Sequence, residues 1–541
     1  MNRLVPLVTL VGGMTLVGSA LGYVRNSSIA SVFGISGQSD AYFVAIFLPM
    51  TLQVILVSGS LAPALLHVYI GYQQRGHRRD AEVTFSTLLN LLALVLALFV
   101  LVGVIFRDQL VSLTAPGLPE DSAQLSARLM LLTLPSLLLL GTTALLGPLL
   151  NAHDHFFMPA LGPALYNLLT IGVLLAAERY VGIEAAAAGG LAGASLQMLL
   201  LVIVMRRRGI AYSPVLSLRH PGVRRALLAS APVVGYLLVA YASIWLERLF
   251  ASMLEAGTVS IITIAMTIFV FPNTVFNGSL GTVVYPTLVR QGAAGAAGAV
   301  EMASSVLSAI RLLMLVLIPA TVLMVVAATP LTRIAYGPGA ADDADVHTGG
   351  LVLAVYTVGL LAVGVAGLVQ QVMYATGRFM MPLKIELASL GVYAPLAALL
   401  SYSLGAVGLG LARLASFLSA GILSLLTAWR MGLLPPLGQV VAGSTKPLVG
   451  AAAMAGAYLA LSGLSERVIS STGYAGLLLE QASLFSICAG VYLSVGALLG
   501  IEGMPRGWRS MLGLVRPPGL RRPAYAVLEA SGSTPVPQEE A

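Results

Sequence analysis

Apolar runs recur along this chain, each about the length that a helix needs to cross a bilayer, roughly 20 residues. They lie near 4–24, 41–71, 83–106, 123–150, 158–178, 182–205, 224–253, 258–288, 303–329, 349–375, 382–402, 405–429, 446–463 and 477–500. The pattern predicts an all-α polytopic membrane protein of about fourteen transmembrane helices, the longest extending past the bilayer or tilting in it. The first run, Leu4 to Leu21, is nearly a full span and is followed by many more. It reads as the first transmembrane helix, although Ser19-Ala20-Leu21-Gly22 could serve as a cleavage site for a signal peptide.

Composition agrees: 58% of the 541 residues are hydrophobic and 9% charged, with a mean hydropathy of +0.92. Soluble proteins carry roughly 25% charged residues, and no soluble fold could hide this much apolar surface. The formal charge of +7 therefore reads as the positive-inside bias of a membrane protein and not as a nucleic-acid surface. An even number of spans puts both termini on one side. Odd-to-even hairpins carry few basic residues (Arg25, Arg107, Arg179, Arg333, Arg467). The other side carries Arg75, Arg78, Arg79, Arg206 to Arg208, Arg219, Arg224, Arg225, Arg290, Arg378, Lys384, Arg430 and Lys446. The asymmetry predicts an inner-membrane protein with both termini cytoplasmic, and Glu120, Asp121, Asp342, Asp343 and Asp345 outside. From 501 onward Arg, Pro and Ser replace the apolar run, predicting a basic juxtamembrane segment and a disordered tip.

A shift of about 223 residues brings unusual positions into register. Arg25 meets Arg248, Gly34 meets Gly257, Pro49 meets Pro272 and Pro63 meets Pro286. His155-Phe156-Phe157-Met158-Pro159 meets Arg378-Phe379-Met380-Met381-Pro382, Gly182 meets Gly405 and Gly209 meets Gly432. The offset covers six helices, so two lobes share one orientation, with a substrate path expected between them. The expected organisation is an N-terminal lobe at 1–205, a basic linker at 206–223, a second lobe at 224–430, two added helices at 431–500 and the tail at 501–541. Pro49, Pro63, Pro272 and Pro286 are candidate hinges for lobes that rock between two shapes; static packing is the other reading.

Ionisable residues within spans usually face a cavity or a partner. Arg25 ends the first span, Asp40 precedes the second, and Glu247 and Arg248 lie in the seventh. Arg128, Arg311, Glu386 and Arg413 lie near span ends, where snorkelling to the headgroups accounts for them. Arg25 and Arg248 are mates in the repeat. Either they point at one cavity, where arginine forks suit phosphate oxygens, or they anchor at the outer interface with Glu247 neutralising Arg248. No catalytic constellation appears and the chain does not read as an enzyme. There is no Walker-type phosphate loop, and His153-Asp154-His155 reads as a solvated turn instead of a metal site. Asn26-Ser27-Ser28 matches a glycosylation pattern of the kind that arises by chance, and Cys488 reads as a buried apolar residue. With no cofactor expected, transport would draw on the membrane potential, roughly 2.3 kcal/mol per charge per 100 mV, or on a cation gradient.

Leu21-Gly22-Tyr23-Val24-Arg25, Phe33-Gly34, Ser39-Asp40-Ala41-Tyr42-Phe43-Val44-Ala45 and Leu48-Pro49 resemble the start of the MurJ/MviN family, the lipid II flippases of the MOP superfamily. Asn151, Phe156, Pro159 and Asn167 match further, as do Tyr336-Gly337-x-Gly339-Ala340 with Asp343, Tyr374-Ala375 and Pro382-Leu383-Lys384-Ile385. The resemblance covers roughly residues 1–500. It implies two six-helix lobes, two extra helices and a central cavity lined by arginines that hold a lipid pyrophosphate. Of those cavity positions, Arg25 matches and Asp40 carries over; Glu247 is a looser match. Ser19 and Gln53 stand where the family has arginine, and Met266, Thr267 and Val270 where it has Asp-Arg and Glu. Arg248 is a candidate replacement for one lost cation. The implied partners are a lipid-linked saccharide, membrane lipids and cell-wall synthesis proteins. The implied function is a flippase for an undecaprenyl-pyrophosphate-linked saccharide, lipid II first, working by alternating access. The competing readings are an exopolysaccharide or other wall-glycan flippase, a non-transporting scaffold of cell-wall synthesis, and a drug or ion antiporter of the same superfamily.

Overall fold

The structure, a computed structural model, describes residues 4–501 apart from 154, 211, 294–295, 340, 379, 435–436 and 469–472. The basic tail, Asp154, Ala340 and Phe379 thus lie outside the described residues, as do the side chains of Pro286 and Arg467. In chain order the helices are α1 (Leu4–Phe33), α2 (Gly37–Gln53), a π-helical segment (Val54–Leu61), α3 (Ala62–Gln74), α4 (Arg78–Ile105), α5 (Arg107–Thr114), α6 (Glu120–Ala152), α7 (Phe157–Val181) and α8 (Glu184–Arg207). They continue with α9 (Pro221–Ser252), α10 (Thr258–Ala293), α11 (Ala296–Val326), α12 (Ala328–Tyr336), α13 (Asp343–Val358), α14 (Leu360–Ala375), α15 (Met380–Arg430), α16 (Leu437–Val468) and α17 (Gly473–Leu498).

Helix stands at every expected span. Among the described residues ten helices are long and apolar enough to cross a membrane, and the pair α13–α14, bent by 41°, makes an eleventh crossing. The 51-residue α15 holds two lengths joined at Gly405, whose φ of 56° and ψ of −135° break the helix where the sequence separates two spans. The all-α membrane architecture follows from the side chains. In α4, Leu88, Leu92 and Leu96 are buried against the protein, while Leu94, Leu98, Leu101 and Ile105 are about 60% exposed on the far side. A helix apolar on both faces has lipid as its solvent.

The helices of the first half pack around α6, which touches α2, α4 and α8, and around the α7–α8 pair. There Gly193 lets α8 approach the backbone of Tyr166 so closely that a Cβ would sit 2.8 Å from the Tyr166 carbonyl oxygen. In the second half α10 packs on α11, α13 and α14, and α15 on α9, α13 and α14; α16 lies on α11 and α17. The repeat is visible in the backbone. Gly34 and Gly257 have φ of 70° and 95°, Gly182 and Gly405 65° and 56°, Gly209 and Gly432 64° and 69°.

The candidate hinges are not alike. Pro49 lies inside α2 and cannot donate to the Ala45 carbonyl; the Thr133 hydroxyl of α6 fills that role at 2.9 Å, tying α2 to α6. Pro63 follows directly on the π-helical segment inside one continuous helical run, Gly37–Gln74, where the change of register accommodates its missing N–H. Pro272 is half-buried in α10, which continues as helix through the equivalent stretch.

Asp40 departs from its expected role. It is 2% exposed and reaches across to the start of α10, accepting hydrogen bonds from the backbone N–H of Gly257 (2.7 Å) and Ser260 (2.7 Å) and from the Ser260 hydroxyl (2.6 Å). The carboxylate caps a helix N-terminus that belongs to the other half of the chain. It is fully engaged and lines none of the cavities described below. Asp40→Ala is therefore expected to lower the stability of the purified protein by about 2–4 kcal/mol, since it strands two buried N–H groups. Ser260→Ala should cost about 1 kcal/mol. Thermal unfolding in detergent checks both, and an Asp40→Ala protein that melts like the wild type would refute the capping role.

Candidate functional site

Two connected cavities open beside α1. One of 660 Å³ lies among α1, α2, the π segment, α6, α7 and α8 and is lined by Ser19, Arg25, Gln53, Tyr166, Asn167 and Gln197 among others. The second, of 400 Å³, lies between α1, α9 and α10 and is lined by Ser19, Arg25, Glu247 and Arg248 together with Met266, Thr267 and Val270. Ser19, Gly22 and Arg25 belong to both. The repeat mates Arg25 and Arg248 thus face one space, as the first of the two readings of that pair required.

Each guanidinium is held by neutral groups. Arg25 donates to Asn26 Oδ1 from Nε (3.2 Å) and Nη2 (3.0 Å) and to Asn167 Oδ1 from Nη1 (3.1 Å), and it lies 5.8 Å from the centre of the Tyr166 ring. The asparagines are themselves oriented. Asn167 Nδ2 donates to the Gly18 carbonyl (3.0 Å) and Asn26 Nδ2 to Thr267 Oγ1 (3.1 Å), so both amide oxygens turn to the arginine. Asn26, only 6% exposed within α1, is consumed by this network, and the glycosylation pattern is excluded by its burial. Arg248 donates from Nη1 to the Phe43 carbonyl (3.2 Å) and stacks on the Phe47 ring (4.4 Å); its Nε is buried without a partner. Neutral acceptors and aromatic faces position a guanidinium without cancelling its charge.

Glu247 lines the same cavity but forms its ion pair with Arg413 instead of Arg248. It is 2% exposed and bound to Arg413 by two contacts, Nε to Oε1 at 3.0 Å and Nη2 to Oε2 at 2.7 Å; Tyr356 donates to Oε1 at 2.7 Å. Arg413 completes its set on the Ser243 hydroxyl and carbonyl and on the Tyr393 ring at 4.2 Å. The snorkelling assigned to Arg413 is therefore corrected: it is 3% exposed, because Glu247 and Ser243 draw its guanidinium in against α9. Glu386 is also reassigned, for it lines a third cavity of 330 Å³ with Arg413. Arg128 and Arg311 are exposed, which suits snorkelling.

Sequence reasoning missed Arg413 as the partner of Glu247 and the asparagine cradle of Arg25. The available signal for the first was a lone cation, Arg413, within the span at 405–429, which calls for a carboxylate on another span. His153 also differs from a solvated turn, packing against Tyr69 with its ring centroid at 5.8 Å and its Nδ1 3.0 Å from the Leu149 carbonyl.

A multi-helix bundle with paired cavities in two repeated halves is the architecture of a membrane transporter. A profile of the family described as "Lipid II flippase MurJ" matches residues 29–475. The chain belongs to that family. It is 29% identical over 400 residues to the lipid II flippase MurJ of Burkholderia cenocepacia, covering 72% of this chain and 77% of that protein. It is 25% identical over 511 residues to the probable lipid II flippase MurJ of Rhizobium tropici, covering 91% and 93%. Its fold superposes on a structure of lipid II flippase MurJ in an inward closed conformation with a TM-score of 0.75 at 20% identity, covering 94% of this chain and all of that one. A multidrug resistance transporter of the MATE family, described as of the MOP superfamily and in an inward-facing conformation, aligns with a TM-score of 0.65 at 14% identity over 76% of this chain and 94% of its own.

The Glu247–Arg413 pair makes a direct prediction. Glu247→Gln or Arg413→Gln leaves a buried charge unmatched and should destabilise the protein by roughly 3–5 kcal/mol, whereas the double variant Glu247→Leu/Arg413→Met should recover most of that loss. Thermal unfolding of the three variants is the measurement; additive losses in the double variant would rule out the coupling.

Proposed function

We propose that this protein carries a lipid-linked saccharide pyrophosphate, lipid II as the first candidate, across the inner membrane by alternating access between lobes at 1–205 and 224–430. The observation that carries the proposal is the meeting of Arg25 and Arg248 at one 400 Å³ cavity, each hydrogen-bonded to neutral groups among the described residues. Two guanidiniums that form no ion pair among the described residues, in a low-dielectric space, attract a diphosphate, and their forks match its oxygens. Membership of the MurJ family supports the same cargo. Ser19 and Gln53 serve as polar contacts where the family has cations, and the membrane potential or a cation gradient drives the cycle. The charge bias of the loops supports cytoplasmic termini, and cell-wall synthesis proteins are the natural partners.

A second reading, a flippase for another wall-glycan or exopolysaccharide lipid, is favoured by one observation. Met266, Thr267 and Val270 line the cavity, so these positions face the cargo without the charges the family carries there. A scaffold without transport has no use for the two charged side chains turned into a cavity.

Complementation of a strain depleted of its own lipid II flippase separates these readings. Rescue by the wild type, with growth lost or reduced about tenfold or more in plating efficiency for Arg25→Ala and Arg248→Ala, is expected. Wild-type protein that inserts in the membrane and does not rescue would exclude lipid II and favour another lipid-linked glycan.

A further inference from the structure

The offset of about 223 residues that aligns the two halves also aligns two of the cavities. Met50, Gly147, Pro159, Pro163 and Tyr166 line the 660 Å³ cavity. Their counterparts Asn273, Gln370, Pro382, Glu386 and Ser389 line the 330 Å³ cavity, which lies among α9, α10, α14 and α15. One corner of the fold is built twice, and its chemistry is not copied. The first cavity holds Arg25 with its charge uncompensated. In the second, the cation Arg413 is cancelled by Glu247, and a carboxylate, Glu386, stands where the first has the ring of Pro163.

Glu386 is half-buried, and among the described residues no ion pair engages it. Around it the cavity presents amides and hydroxyls. Gln370 donates to Tyr374 at 2.9 Å and accepts from Tyr236 at 3.5 Å, and Ser243, Ser389 and Ser416 complete the polar wall. The 400 Å³ cavity joins the two compartments: it shares Arg25 with the first and Ile244 and Met266 with the second. A molecule that lies across all three meets guanidiniums at one end and a carboxylate at the other. The volume around Glu386 far exceeds that of a bare ion, and among the described residues no group of three His, Cys, Asp or Glu could hold a metal. One carboxylate ringed by neutral acceptors and donors matches a protonated amine on a hydroxyl-bearing or amide-bearing chain.

We infer that the second cavity is a subsite for an ammonium group of the cargo, bound at Glu386, so that the opposite charges of the two compartments set the direction in which the cargo lies. This rests on the reading that the cargo's phosphates sit at Arg25 and Arg248.

The test uses the full chain in lipid nanodiscs and two probes: lipid II whose stem peptide has a free lysine amine, and the same lipid with that amine acetylated. Acetylation should weaken binding to the wild type about tenfold and leave binding to Glu386→Gln unchanged, with the variant holding both probes as the wild type holds the acetylated one. Unchanged thermal unfolding of Glu386→Gln shows that the variant is folded. Equal affinity of the wild type for both probes overturns the amine subsite alone. Glu386-dependent weakening of the acetylated probe when sodium chloride is replaced by choline chloride at constant ionic strength would assign the site to an inorganic cation and likewise overturn it. If the wild type binds neither probe, the lipid II reading fails and the subsite fails with it.

Discussion

Glu247 and Arg413 lock together in a space of 2–3% exposure, and much of the site follows from that bond. An isolated ion within a span costs roughly 2.5–3.5 kcal/mol even on the mildest scales, so neither residue could stay there alone. Paired, they pin α9 to α15, and the Tyr356 hydroxyl on the Glu247 carboxylate brings α13 into the same joint. The pair also divides space: Glu247 faces the central cavity and Arg413 the one behind it. Its most consequential effect falls on the next residue. Neighbours on a helix point about 100° apart, and with Glu247 committed inward, Arg248 turns to α2 and keeps its charge. A hydrophobic pair of similar volume would stabilise α9 against α15 at least as well.

The two halves share backbone and differ in side-chain chemistry. Positive-φ glycines recur at matched positions because the turns they form are fixed by geometry, and geometry is what the repeat preserves. Side chains that line the cavities face no such restraint. Gly190 on α8 lies against Tyr166, whereas its mate Arg413 is the cation of the buried pair. The seam between the halves is likewise held by unlike devices: Asp40 caps α10 across it, and Asn26 bonds Thr267 across it. Both reach from the first half onto α10, the helix that also carries the uncharged Met266, Thr267 and Val270. Helix α10 is therefore clamped to the first half at two heights while it forms a wall of the shared cavity.

The spans and the repeat were legible in the sequence, because each rests on periodicity or on rare residues in register; the repeat made Arg25 and Arg248 mates but left open whether they share a cavity or anchor at the interface. Gly405 separated two spans correctly for a local reason, its backbone conformation. What could not be read depends on contacts between distant segments. Asp40 looked like a cavity acid because it sits in a motif near Arg25; only the arrival of the α10 N-terminus, 217 and 220 residues away at Gly257 and Ser260, makes it a cap. Arg413 looked like a residue near a span end because nothing local marks its depth. Glu247 had an adjacent cation in the sequence and a better one 166 residues on.

The sparse charge of the cavity fits the demands of transport. A carrier gains nothing from affinity that is equal in its two states, since only a difference between them shifts the equilibrium. Ser19, Gln53, Met266, Thr267 and Val270 line the cavities as uncharged walls, so the space is ample and its fixed charge sparse. Two guanidiniums balance a diphosphate. Because Arg25 is held from α1 and α7 and Arg248 from α9 against α2, a relative movement of these helices changes the distance between the two charges. A diphosphate bridging both would then be bound tightly in one shape of the protein and loosely in the other, which additional fixed cations on every wall would tend to even out.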